Sequence, residues 1–249
     1  MQQIDEMLTT VSQDLKKHPQ ITVKTSRPFT LILAKWGIKK NVNPNLLTLG
    51  MLLSVLVALP FIFVNQIWSV VVGFVVIQLF EIFDDADGVV ARGTGRLSVY
   101  GEQLDYIMHL ICHPLAIATY GYCVYRNLQA PVFSFLSNEL LVILLCGAFI
   151  ILEYGIRNFV HLDAISRLKL EQKGEVAKAG KRGFIKTCYR YFIDNFVCFP
   201  VFMQLFPIFL FVDLVAPVTV SVWALLGEVA LWLIFFLSVL LKRFIRYVK

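Results

Sequence analysis

Residues 66–109 read QIWSVVVGFVVIQLFEIFDDADGVVARGTGRLSVYGEQLDYIMH. The first eighteen residues form an apolar run about as long as the ~20 residues a helix needs to cross a bilayer. It ends in Asp84, Asp85 and Asp87, and Gly93-Thr94-Gly95 then breaks the pattern. Asp105 and His109 open the next apolar run, YIMHLICHPLAIATYGYCVY. Residues three or four apart share a helix face, so Asp84 with Asp87 forms one stripe and Asp105 with His109 another. Two such helices would bring their acids together at one edge of a membrane, where they could close on a single cation. Ionisable groups at membrane depth are costly unless paired, hydrated or bound to metal, so the cluster marks a functional site.

Composition sets the class. With 58% hydrophobic and 16% charged residues among 249, and a mean hydropathy of +0.71, the chain is too apolar for a soluble domain. We expect an all-α integral membrane protein, because open β-structure in lipid would leave backbone groups unpaired. The five cysteines (112, 123, 146, 188 and 198) lack metal-ligand spacing and are expected as small packing residues. No early stretch has the pattern of a signal peptide, and residues 1–27 are polar, so the expected start is in the cytosol.

Working outward, six transmembrane helices are predicted, at about 46–64, 66–84, 101–124, 139–160, 191–212 and 217–241. The second continues briefly beyond the membrane towards Ser98, a turn near Asn65 and Gln66 joins the first two, and a loop with Pro131 follows the third. Residues 161–187 read as a polar, basic loop. Ahead of the spans, residues 4–17 space Ile4, Met7, Leu8, Val11 and Leu15 as an amphipathic helix lying on the interface. A second short amphipathic piece after Pro28 carries Trp36 and lysines, as interfacial anchors do. We expect one domain over 1–249, with 1–40 interfacial and 41–249 the transmembrane core. Placing both termini in the cytoplasm leaves only Arg126, of 23 Lys and Arg, on the outer side. The positive-inside rule selects that topology and puts the acidic motif at the cytoplasmic face. The net charge of +6 therefore faces a membrane surface rather than nucleic acid.

The spacing Asp84, Asp87, Gly88, Ala91, Arg92, Gly101, Asp105 resembles the signature of the CDP-alcohol phosphotransferase family, D-x2-D-G-x2-A-R-x8-G-x3-D-x3-D, with His109 at the position of the fourth aspartate. Pro44, Asn45 and Thr48 look like the Pro-Asn-x-x-Thr stretch that opens the family's first span. The resemblance implies transfer of a substituted phosphate from a CDP-alcohol, with CDP-diacylglycerol the expected donor, to an acceptor alcohol with release of CMP. No motif specifies the acceptor. Phospholipid or related biosynthesis is the implied setting, in a bacterial or archaeal cell membrane, by a homodimer.

Hard oxygen ligands suit Mg²⁺ or Mn²⁺, and Asp84, Asp87 and Asp105 are the expected ligands. Arg92 would carry remaining phosphate charge as a planar fork of donors. Gly88, Ala91 and Gly101 are small enough for a nucleotide to lie against helix backbone, beside the pocket that Pro44, Asn45 and Thr48 help form. The family assigns the catalytic base to its fourth aspartate. Imidazole can do that work, so three outcomes stand: His109 is the base, the site is inactive and the chain is a pseudoenzyme that binds CDP-alcohol or lipid, or another group such as Asp85 substitutes.

His113 continues the His109 stripe and leaves an HxxxH metal site conceivable. Glu153 and Arg157, at i and i+4, are expected as an internal ion pair. Alternatively Arg157 could bind an acceptor's phosphate with Arg167, Lys169, Lys181 or Arg182, and Asp194 and Asn195 could reach the cavity. Intramembrane prenyl transfer also uses aspartates and metal, but later spans carry no second Asp-rich box. A channel is disfavoured because charge gathers at one face.

Overall fold

The computed structural model describes residues 21–172, 199–216 and 218–248. Among them there are seven helices: α1 (Ile21–Lys39), α2 (Pro44–Val64), α3 (Ile67–Thr94), α4 (Val99–Asn127), α5 (Asn138–Gln172), α6 (Phe199–Val215) and α7 (Val220–Val248). Extended pairing among the described residues is limited to an isolated bridge between Phe133 and Leu136. Five helices are long and apolar enough to cross a membrane: α2, α3, α4, α5 over Asn138–Phe159 and α7 over Val220–Leu241. The crossing expected at 191–212 is described only from Phe199, and its Val201–Val215 part is apolar but shorter than a crossing. The amphipathic helix expected at 4–17, with Cys188 and Cys198, lies outside the described residues.

Helix ends follow local chemistry. Asn43 caps α2 by accepting from the Asn45 N–H, with Pro44 in the first turn, where its missing donor costs nothing. Asn65 ends α2 in the left-handed conformation at φ 55°, and its Nδ2 donates to Asn127 Oδ1 at 2.7 Å, tying the α2–α3 turn to the end of α4. Gly93 and Thr94 belong to the last turn of α3, so the break falls at Gly95 alone, at φ 67°. There the Arg96 N–H closes on the Ala91 carbonyl at 2.9 Å, a termination that favours glycine. Ser98 starts α4 by accepting from the Gly101 N–H at 3.0 Å. Asp213 on α6 accepts from the Val220 and Ser221 N–H groups at 2.7 and 3.2 Å and so caps α7.

Two elements run further than their sequence signals suggest. Helix α5 continues to Gln172 through residues expected as loop, because HLDAISRLKLEQ is rich in helix formers and lacks Gly and Pro. Helix α1 begins at Ile21 and holds Pro28 inside it, at the loss of one backbone hydrogen bond. One face of α1 buries Ser26, Thr30, Ala34 and Ile38 at a four-residue spacing, while Phe29, Ile32 and Trp36 are exposed on the other. The buried face packs on the last turns of α3 through Ala86, Val89 and Val90.

Helices in lipid associate by close packing and hydrogen bonds more than by apolar burial. Gly73 on α3 shows this, since a Cβ there would collide with Ile62 Cγ1 and sit 3.0 Å from the Ala58 carbonyl. A second contact layer joins α4, α5 and α6 through Tyr120, Phe149, Phe202 and Phe206. Tyr120 is fully buried, and its hydroxyl donates to the Met203 carbonyl at 3.1 Å. Cys112 and Cys123 are buried free thiols and Cys146 is half-buried, as packing residues. The acidic end of α3 meets α4 through His109, which touches Asp84 and Phe80.

Candidate functional site

The N-terminal ends of α2 and α4 and the C-terminal end of α3 enclose a cavity of about 470 Å³, within the size range of ligand pockets. Pro44, Asn45 and Thr48 line it from α2, Asp87, Gly88 and Ala91 from α3, and Gly101 and Asp105 from α4. The small side chains matter because Cβ atoms would intrude: one added at Gly101 would sit 3.2 Å from Ser98 Oγ and 3.3 Å from Asn45 Oδ1. Thr48 Oγ1 donates to Asp87 Oδ2 at 2.6 Å, joining α2 to α3.

Beside the cavity, Asp84, Asp105 and His109 each offer a ligand atom, all within 4.8 Å of one another. His109 Nε2 lies 3.1 Å from Asp84 Oδ1 and 3.5 Å from Asp105 Oδ1. Asp87 is not one of that trio; it lines the cavity wall, with its carboxylate engaged by Thr48. Asp85 points to the far side of α3, where Ser26 Oγ donates to it at 3.2 Å, away from the cluster as its helical offset from Asp84 requires. Arg92 is exposed in the last turn of α3, with its guanidinium next to Gly88. It does not line the cavity; Arg96 does, while Arg96 Nη1 also donates to the Asn41 carbonyl at 3.2 Å. Sequence reasoning overlooked Arg96, although a basic residue right after a helix-ending glycine is a recognisable rim position.

Behind the cluster runs a buried polar chain. His109 Nδ1 lies 3.0 Å from His113 Nε2, and His113 Nδ1 lies 2.9 Å from Glu153 Oε1. Arg157 Nε donates to the same Glu153 oxygen at 2.9 Å, so the i, i+4 pair read from the sequence is an ion pair. It engages α4 rather than closing on itself. His113 is 0% and Glu153 1% exposed, so bulk water does not reach them. Phe80 stacks edge-on to His109 with ring centroids 5.5 Å apart. Pro114, inside α4, has no N–H to offer the Leu110 carbonyl four residues back. The Tyr154 hydroxyl donates to that carbonyl instead, so α5 fills the gap next to the two histidines. The side chains of Arg167 and Lys169, and all of Lys181, Arg182, Asp194 and Asn195, lie outside what is described.

The residues present fit a divalent cation. Asp105 Oδ1 is buried and accepts no hydrogen bond, and clustered carboxylate oxygens form an ordinary donor set for such an ion.

The model of the CDP-alcohol phosphatidyltransferase family matches residues 41–240. The chain belongs to that family. The matched range covers α2 to the apolar part of α7 and leaves α1 outside it. A CDP-diacylglycerol–serine O-phosphatidyltransferase of Methanocaldococcus jannaschii is 36% identical to this CDP-alcohol phosphatidyltransferase family member over 85 residues, 34% of this chain and 39% of that relative. The chain thus matches well under half the length of that curated relative. No solved structure matches this family member.

Proposed function

We propose that the protein is a multi-pass membrane enzyme that transfers a substituted phosphate group from a CDP-alcohol to a second alcohol, releasing CMP. The observation that carries this reading is the cavity. The small residues of α3 and α4 and the Pro44-Asn45-Thr48 stretch of α2 border one space, which opens beside the Asp84, Asp105 and His109 trio. The name of the Methanocaldococcus jannaschii relative supports CDP-diacylglycerol as donor, its acyl chains lying in lipid beside α2 and α3.

In this reading the acceptor oxygen bonds to the phosphorus next to the donor alcohol, the bond from that phosphorus to the CMP oxygen breaks, and CMP leaves. The acceptor's proton passes to His109 Nε2, which faces the carboxylates rather than the α4–α5 interior. Asp84, Asp87 and Asp105 would hold Mg²⁺ or Mn²⁺. Such an ion supplies charge neutralisation and alignment for phosphoryl transfer. Asp87 is oriented for this by Thr48, and Arg92, whose guanidinium lies next to Gly88, would turn a fork of donors to phosphate oxygens. Gly88, Ala91 and Gly101 leave room for the nucleotide.

We further propose six spans in one domain, with both termini and the site in the cytoplasm, acting as a homodimer. The test is CMP release by purified protein over a panel of CDP-alcohols, CDP-diacylglycerol included, and acceptor alcohols. Release is expected with Mn²⁺ or Mg²⁺ and is lost in EDTA. No release from any pair would reject the reading.

A further inference from the structure

We propose that Glu153 and His113 are positioning residues for His109, holding its proton on Nδ1 so that Nε2 is the ring nitrogen that faces the reacting groups. The inference rests on the activity proposed above and explains how an imidazole can stand where a carboxylate is expected.

A carboxylate has two equivalent oxygens and needs no choice of tautomer. An imidazole does, because its two nitrogens differ and the partner of one decides the state of the other. The partner of His109 Nδ1 is His113 Nε2, at 3.0 Å. On the other face of the His109 ring, Nε2 lies 3.1 Å from Asp84 Oδ1 and 3.5 Å from Asp105 Oδ1. Those oxygens would be engaged by a bound cation, so with the ion in place the choice falls to the opposite side of the His113 ring. There Nδ1 meets Glu153 Oε1 at 2.9 Å and Arg157 Nη2 at 3.2 Å. An ionised carboxylate can only accept and a guanidinium can only donate, so Nδ1 can satisfy one of them. Glu153 is the nearer, and a nitrogen lone pair facing its charged oxygen would be repelled. His113 therefore carries its proton on Nδ1 and presents a lone pair at Nε2. His109 must fill that lone pair with its own Nδ1–H.

Arg157 then has a defined task, since its Nε bond to Glu153 Oε1 compensates the charge of that carboxylate and holds it in place inside the bundle. A partner that fixes a tautomer and stabilises the imidazolium formed during turnover is the role an aspartate plays behind the histidine of serine proteases. The setting is a rigid one. Phe80 covers both rings, and the Tyr154 hydroxyl pins α5 to the Leu110 carbonyl between them. The sequence alone separates these residues by 40 positions along two helices.

The chain has four histidines, which makes ¹⁵N-histidine labelling tractable. In Mg²⁺-loaded protein, nitrogen shifts assigned by loss in His109→Asp and His113→Asn should show His113 protonated on Nδ1 and bare on Nε2, with His109 protonated on Nδ1. Glu153→Gln keeps the shape and removes the charge, and should admit the opposite arrangement.

The same variant should lower kcat by about 100-fold or more while the donor KM stays within about three-fold. In a His109→Ala background it should cause no further loss, because it acts through the missing ring. A proton on His113 Nε2 in the unmodified protein would overturn the proposal. So would a Glu153→Gln loss of equal size in both backgrounds, which would mark a purely structural role. If the unmodified protein releases no CMP, the activity falls, and the nitrogen shifts decide the positioning by themselves.

Discussion

Thr48 Oγ1 reaches across from α2 to Asp87 Oδ2 on α3 at 2.6 Å, the shortest link between the two walls of the cavity. Thr48 is buried, so water cannot readily replace it as the donor. Thr48→Val keeps the shape and deletes the hydroxyl, leaving the carboxylate short of one partner. We expect a loss of roughly 1–3 kcal/mol in stability in detergent, with weaker binding of a CDP-alcohol, read by thermal unfolding and by titration with the nucleotide. Unchanged binding would mean that Asp87 does not face the donor.

Gly73 marks a close approach of α2 and α3. A methyl there would meet backbone at the Ala58 carbonyl and the Ile62 nitrogen as well as the Ile62 side chain, so flexing one side chain does not relieve it. Gly73→Ala is expected to cost about 1–3 kcal/mol, as overpacking of a close interface does. The unfolding midpoint in detergent measures it. Gly147, which meets nothing within 4 Å, serves as the tolerant control for the same substitution.

Gly88 offers the opposite case, a glycine whose replacement should spare the fold and remove the ligand. A Cβ there meets only the guanidinium of Arg92, at 3.4 Å, and the rest of the side chain would enter the cavity. Gly88→Leu should leave the unfolding midpoint within about 0.5 kcal/mol of the original, as a change outside the packed core does. Binding of CDP-alcohol should fall at least ten-fold. Retained binding would place the nucleotide elsewhere.

His109 separates the active from the inactive form of the proposal. If it is the base, His109→Ala should lower kcat by about 10²–10⁴-fold, while His109→Asp retains turnover in CMP release. If the unmodified protein binds CDP-alcohol without turning it over and His109→Asp creates activity, the chain is a pseudoenzyme. Asp85 is a poor substitute in either case, since Ser26 holds it on the α1 side of α3. Asp85→Asn should leave kcat within about two-fold, because a group outside the reacting geometry contributes little to the barrier.

The helical membrane class, the acidic edge and the convergence of Asp84 with Asp105 and His109 were legible from the sequence. Apolar length and helical periodicity are local properties, and the bilayer allows few alternatives to a helix. The same locality explains the misses. Nothing local distinguishes a helix that stops at the membrane from one that continues in polar residues, so α5 runs to Gln172. Gly93 and Gly95 look alike in the sequence, yet only Gly95 takes the left-handed conformation.

What the sequence by itself determined is which residues carry charge and which helix face presents them, because a 3.6-residue repeat makes neighbours of positions three and four apart. It also placed Glu153 with Arg157, for the same reason. Only the tertiary structure decided that this pair serves His113 across 40 residues, that Asp85 turns to Ser26 while Asp87 turns to Thr48, and that Arg96 rather than Arg92 borders the cavity. Those are contacts between helices. Their partners are chosen by how α1, α2 and α6 pack on α3 and how α2 and α5 pack on α4, which no spacing along one helix encodes.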